Sequence, residues 1–200
     1  MSGLIPVETL SNPPVQSEGP MPAFAGTARA RKATMQDIPE LLRLINGFAG
    51  KGIMLPRTEF EMSENIRDFV VLISDSRVVA CGALHFYSPT MAEVRSLAVD
   101  PGAQSSGLGR QVVEALIADA RQFDLTAVFA FTYVTGFFRK LGFREVDRDE
   151  LPLKAWKDCL RCPKFQCCDE TAVVLELKPR PPEKLLKKST PEAPLPRVLK

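Results

Sequence analysis

The stretch Glu93-Val94-Arg95-Ser96-Leu97-Ala98-Val99-Asp100-Pro101-Gly102-Ala103-Gln104-Ser105-Ser106-Gly107-Leu108-Gly109-Arg110 decides how the chain is read. It opens as an apolar run with strand character. Asp100-Pro101-Gly102 then marks a turn, in which proline presets φ and glycine accepts a positive φ. A loop of small residues, Gln104 to Gly109, follows. Beyond it Leu108, Val112, Val113, Leu116, Ile117 and Ala120 recur at three- and four-residue spacing, the period of an amphipathic helix.

Strand, glycine-bearing loop and helix start together make a device for holding anions. The first turn of a helix leaves its N–H groups without intrahelical acceptors, and the macrodipole places partial positive charge there. Glycines at 107 and 109 remove Cβ atoms that would hold a phosphate off the backbone. The same pattern also serves an ordinary strand-turn-helix connection, because helix starts favour Ser and Gly. No Gly-Lys-Ser/Thr follows, so this is not a P-loop. The three glycines of the dinucleotide fingerprint are also missing.

The spacing Gln104-x-x-Gly107-x-Gly109, directly after Leu97-Ala98-Val99, resembles the acetyl-CoA loop of the GCN5-related N-acetyltransferases, written R/Q-x-x-G-x-G/A. Phe137-Phe138-Arg139-Lys140-Leu141-Gly142-Phe143 resembles the same family's short helix under the cofactor, which ends at Gly-Phe. The resemblance spans residues 27 to 178 and implies an α/β (α+β) fold with a mixed, mostly antiparallel central sheet flanked by helices. It implies acetyl-CoA as the acetyl donor. Leu97, Ala98, Val99, Gln104, Ser105, Ser106, Gly107, Leu108, Gly109 and Arg110 are then expected to hold it.

Composition agrees with a globular chain. Apolar content of 45% and charged content of 25% are those of a folded protein, and 200 residues suit one domain with tails. No apolar run nears the ~20 residues of a membrane span, and no basic segment leads into an apolar core at the start. The expectation is a cytoplasmic protein without membrane contact. The net charge of +2 conceals an asymmetry, since Lys178 to Lys200 holds seven Lys/Arg against two Glu. The mildly acidic remainder does not suit a nucleic-acid binder, which needs a basic face within the fold.

Read in order, residues 1–26 are proline-rich and expected to be a disordered leader, and 179–200 a basic Pro/Lys-rich disordered tail. Between them lies a strand ending at Ala33. A capped helix follows from Thr34, with Ile38, Leu41, Leu42, Ile45 and Phe48 on one face. A loop through Arg57 leads to a short polar helix. Three antiparallel strands come next (Phe69 to Ile73, Val78 to Phe86, and the organising strand), with a tight turn at Asp75-Ser76. After the long helix, Thr126 to Phe131 is a buried strand. A short helix ends at Gly142, Trp156 sits in another helical stretch, and Thr171 to Leu177 is the last strand.

Within the family, Gly52-Ile53-Met54-Leu55-Pro56-Arg57-Thr58, Ala80 to His85, Ala92 to Val99 and Asp149 to Pro152 are similar to short-form N-acetylglutamate synthases, which lack an amino-acid kinase domain. That resemblance implies a small amino-acid acceptor, L-glutamate first, and regulation by some route other than that domain. A substrate with two carboxylates needs two cationic anchors, for which arginine's planar fork is suited. Arg57 leads the candidates. Arg95 and Lys154 follow, each also readable as a solvated surface charge, and Lys164 is a local contact.

The chemistry needs a neutral amine, a proton acceptor and an oxyanion partner. Glu93 matches the group's carboxylate base, acting through water, and is alternatively an exposed strand-end carboxylate. His85 has a suitable titration range but sits in an apolar strand, where a satisfied structural role fits better. Amides of Ser96 to Ala98 are candidates for the oxyanion. Many family members carry tyrosine where Phe138 stands; Thr132 and Tyr133 are nearby candidates for the proton donor, and the CoA thiolate can also leave without help, since a thiol pKa is not extreme.

Cys159-x-x-Cys162 and Cys167-Cys168 form a dense cluster. In a cytoplasmic setting this spacing suggests metal or redox chemistry, but adjacent cysteines rarely both face one ion and no histidine is near. The reading favours packing thiols over zinc. Cys81 reads as core. Rival readings are an acetyltransferase for another amine (another amino acid, a polyamine or a protein N-terminus) and a non-catalytic acyl-CoA sensor. The sequence leaves a homodimer open.

Overall fold

The computed structural model describes residues 28–151, 160, 162, 164 and 167–179. Lys154, Trp156 and Cys159, the leader and the tail beyond 179 lie outside the described residues. Seven strands form one sheet: β1 (Arg29–Lys32), β2 (Phe69–Ser74), β3 (Arg77–Phe86), β4 (Met91–Val99), β5 (Ala127–Thr132), β6 (Arg144–Val146) and β7 (Thr171–Glu176), in the order β1-β2-β3-β4-β5-β7-β6. Every adjacent pair is antiparallel except β4 and β5. The helices are α1 (Ile38–Ala49), α2 (Glu59–Asn65), α3 (Leu108–Gln122) and α4 (Thr135–Arg139).

Successive strand residues face opposite sides, so the apolar run of β2 supplies two cores at once. Val70 and Leu72 join Ala80, Leu84, Val94 and Val128 beneath Leu108, Val112 and Leu116 of α3. Phe69 and Val71 join Cys81, Ala83 and Ala98 beneath Leu41, Leu44 and Ile45 of α1. On α1 the expected face is displaced slightly: Leu44 is buried, whereas Leu42 and Phe48 are only partly covered. The face expected for α3 is the one buried. β6, three residues long, was not expected. It pairs with β7 at the sheet's far edge. At the other edge the exposed Arg-Ala-Arg-Lys of β1 discourages pairing with another chain. Arg31 grips Asp37 through two bonds of 2.7 and 2.8 Å, and Asp37 also accepts from the Thr34 amide at 2.7 Å, closing the expected cap.

Two irregularities shape the centre of the sheet. Opposite Cys81 to Ala83 of β3, β4 runs from Ala98 to Arg95, one residue more. This bulge puts Ser96 at φ +51°, unusual for a residue with a side chain. Facing it, Gly82 leaves room for α3: a Cβ there would lie 2.7 Å from Val112 Cγ1 and 3.2 Å from Leu116 Cδ1. The second irregularity is the parallel pair. Met91, Ala92 and Glu93 pair with Ala127, Val128 and Phe129, and beyond these the ladder ends while both strands continue.

Candidate active site

Where β4 and β5 part, a cleft of about 220 Å³ opens. Separating parallel strands expose main-chain groups that no neighbour satisfies, and ligands gather at such carboxyl-terminal openings. One wall is Glu93 to Leu97, the other Phe131 to Val134, and Phe138 of α4 also lines it. Ile53, Met54, Leu55 and Arg57 close one end from the α1–α2 loop. Arg148, Cys162, Cys168 and Glu170 line another part. Glu93 stands on the last paired rung, at the apex of the opening.

Of the expected acceptor-site residues, the cleft brings together Arg57, Arg95, Glu93 and Thr132. Asn46 of α1 fixes Arg57's main chain: its Oδ1 accepts from the Arg57 amide at 2.8 Å and its Nδ2 donates to the Arg57 carbonyl at 2.9 Å. Thr58 then caps α2 reciprocally with Glu61. Thr132 is buried at the end of β5, and its Oγ1 accepts from the Val134 amide at 3.0 Å.

Lys164 is not in the cleft wall. It donates to the Tyr133 hydroxyl at 3.1 Å and to both Asp169 oxygens at 3.1 and 3.3 Å. His85 Nδ1 lies 2.7 Å from Asp68 Oδ2, with the ring edge-on to Tyr87, which is the satisfied structural role. Cys81 is fully buried beneath the bulge, and burial pushes its thiol up to about 12. Cys162 and Cys168 line the cleft while Cys167 is exposed, and among the described residues no three ligating side chains gather around a metal-sized point.

Arg148 and Glu170 escaped the sequence reading. Arg148 Nη2 donates to the Glu170 carbonyl at 2.7 Å and to the Cys168 carbonyl at 3.4 Å, and its guanidinium lies 5.8 Å from the Phe131 ring centre. These contacts carry the cation to the cleft from the turn after β6. Burial raises the Glu170 carboxyl above its usual range, and Arg148's charge opposes the rise.

The anion loop begins where Asp100, buried and 3.5 Å from Arg43, accepts from the Gly102 amide at 3.1 Å. Ser105 and Gly107 take φ of +63° and +84°, and Gly107 caps α3 with nothing within 4 Å of the position its Cβ would fill. The first intrahelical bond runs from the Gln111 amide to the Gly107 carbonyl at 3.1 Å, leaving the amides of residues 108 to 110 without helical partners. This cradle fits a pyrophosphate, and Arg110 stands beside it. A Cβ at Gly109 would meet Phe137 and Val99 at 3.5 Å, an ordinary contact distance.

The described residues contain no helix long and apolar enough to cross a membrane. The model of the acetyltransferase (GNAT) family matches residues 38–143. An uncharacterized N-acetyltransferase of Chlorobaculum tepidum is 40% identical over 74% of the chain and 95% of its own length. An amino-acid acetyltransferase of Mycobacterium tuberculosis is 32% identical over 66% of the chain and 76% of its own length. Among solved structures, N-acetylglutamate synthase from Neisseria gonorrhoeae, complexed with coenzyme A and N-acetyl-glutamate, superposes with a TM-score of 0.70 at 28% identity. That match covers 78% of this chain and 37% of the synthase chain.

Proposed function

The chain belongs to the acetyltransferase (GNAT) family, whose members use acetyl-CoA, and on that footing we propose that it acetylates the α-amine of an amino acid, L-glutamate first. It would then act as an N-acetylglutamate synthase, serving arginine biosynthesis in the cytoplasm. The observation that carries this reading is that Arg57, Arg95, Arg148 and Glu93 all line the one cleft where β4 and β5 separate. Three guanidinium groups suit an acceptor with two carboxylates. The named relatives and the synthase structure support the same substrate class.

In this reading the loop from Gln104 to Arg110 holds the pyrophosphate. The edge of β4 from Val94 to Val99, without a β5 partner, offers its amides to the pantetheine arm and the thioester oxygen. The bulge at Ser96 turns those amides off the regular ladder. Glu93 takes the proton of the attacking amine, through water. Closing the cleft over the substrate strengthens each of these interactions by lowering the local dielectric.

A second reading, an acceptor with an uncharged side chain, is favoured by Glu170. Its carboxylate beside Arg148 can offset that cation, leaving Arg57 and Arg95 for one carboxylate. CoA release measured over a panel of amino acids, polyamines and peptide N-termini separates the readings. Selective release with glutamate supports the first, and selective release with neutral amino acids the second. Acetyl-CoA binding with no release under any amine would make the protein a sensor and overturn both.

A further inference from the structure

One helix, α1, touches both loops of the site. Asn46 on its exposed side clasps the Arg57 main chain. Arg43, three residues earlier and so on the same side of the helix, reaches the root of the anion loop. Its Nη2 lies 3.5 Å from Asp100 Oδ2, and Glu40 accepts from the same guanidinium at 3.1 and 3.3 Å.

The two carboxylates are not equivalent. The Glu40 side chain is 39% exposed, so its pair with Arg43 is screened by water and serves to aim the guanidinium. The Asp100 side chain is 9% exposed. A carboxylate so buried needs a countercharge, and among the described residues Arg43 is the cation paired with it.

Asp100 also frames the turn that launches the loop. Its amide donates to the Val79 carbonyl at 2.8 Å, its Oδ1 accepts from the Gly102 amide at 3.1 Å, and its carbonyl accepts from the Ala103 amide at 2.8 Å. Ala103 is buried, and its carbonyl accepts from the Ser106 hydroxyl. Between Ala103 and the buried Leu108, residues 104 to 107 are exposed, and two of them, Ser105 and Gly107, hold a positive φ. A span of that kind takes its form from its fixed ends.

We propose that Arg43 is a positioning residue for acetyl-CoA, holding the Asp100 turn and through it the amides that face the pyrophosphate. This rests on the reading of Gln104 to Arg110 as the pyrophosphate loop. Without the guanidinium, Asp100 keeps a buried charge with the Gly102 amide as its side chain's remaining partner. Turning that carboxylate out to solvent relieves the cost and releases the amide. The loop then spends part of its time outside the binding form, and affinity falls by the fraction lost. None of these contacts involves Glu93 or Arg57, so chemistry and acceptor binding are spared. The helix thus serves the two loops through separate side chains, Arg43 for the acetyl donor and Asn46 for the acceptor.

The test is calorimetric titration of the full chain with acetyl-CoA, beside steady-state CoA release with whichever amine the unaltered protein acetylates best. Arg43→Met should weaken acetyl-CoA binding roughly tenfold and raise its KM alike, with kcat and the acceptor KM unchanged. Arg43→Lys keeps a charge for a pair made through one nitrogen and should recover most of the affinity. Once Asp100→Asn has removed the buried charge, Arg43→Met should cost less than about twofold more, the non-additivity expected of a direct pair. Unchanged affinity in Arg43→Met, an equal loss in the Asp100→Asn background, no recovery in Arg43→Lys, or a loss in kcat or acceptor KM instead each overturns the proposal. A lowered thermal transition with unchanged affinity overturns it too, because it marks a purely structural pair. Failure of the unaltered protein to bind acetyl-CoA overturns the pyrophosphate loop itself, and the positioning role with it.

Discussion

At the scale of single residues, the cleft distributes its tasks by how tightly each side chain is held. Glu93 sits on the last rung shared by β4 and β5, so the sheet itself fixes its main chain. Exchanging Glu93 for Gln keeps shape and removes the proton acceptor. Turnover should drop by roughly 10² or more while calorimetry gives the same acetyl-CoA affinity, and an unchanged rate would remove Glu93 as base. Arg57 lies on a loop and owes its place to Asn46. Asn46→Ala deletes two hydrogen bonds worth about 1 kcal/mol each, so the KM for the acceptor should rise about tenfold or more with kcat nearly constant. Arg57 and Glu93 were legible because they fall in contiguous motifs. Asn46, Arg148 and Glu170 were not, because their partners lie across turns and strands that spacing alone does not relate. Lys164 was found for its charge, but its contacts with Tyr133 and Asp169 arise only in the fold.

At the scale of elements, strength of periodicity separates what could be read from what could not. α3 repeats its apolar positions through four turns, so its buried face followed from the sequence. β6 offers only Arg144, Glu145 and Val146, too short for an alternation to register. The bulge in β4 has no sequence mark either, since Ser96 adopts its positive φ without being glycine. Gly82 shows the reverse: its identity is explained by α3 crossing above it. Gly82→Ala should lower stability by roughly 1–3 kcal/mol, read as an earlier urea midpoint with unchanged slope. Gly107→Ala places a Cβ in the left-handed region, a strain of roughly 1–2 kcal/mol. The loop should resist its cradle geometry and acetyl-CoA affinity should weaken by about tenfold, while Gly109→Ala, whose Cβ meets only ordinary contacts, should bind nearly as before.

At the scale of the whole molecule, three apolar clusters share one sheet, the third built from Tyr87, Phe129 and Val174. β1 is bound to the start of α1 through Arg31 and Asp37. Arg31's hydrogen bonds lower the Asp37 carboxyl to about 2, against about 3.9 in an unfolded chain. The folded state therefore binds that proton less readily than the unfolded one. The contribution is fully present above about pH 4 and disappears as pH falls toward about 2. Asp37→Asn should flatten the acid limb of a stability–pH profile and leave neutral turnover unchanged. The central claim concerns the acceptor, and it is tested most directly by offering acetyl-CoA and an equimolar mixture of the common amino acids, then identifying acetylated products by mass spectrometry. The account predicts that N-acetylglutamate dominates, and dominant acetylation of a basic or neutral amino acid would contradict it.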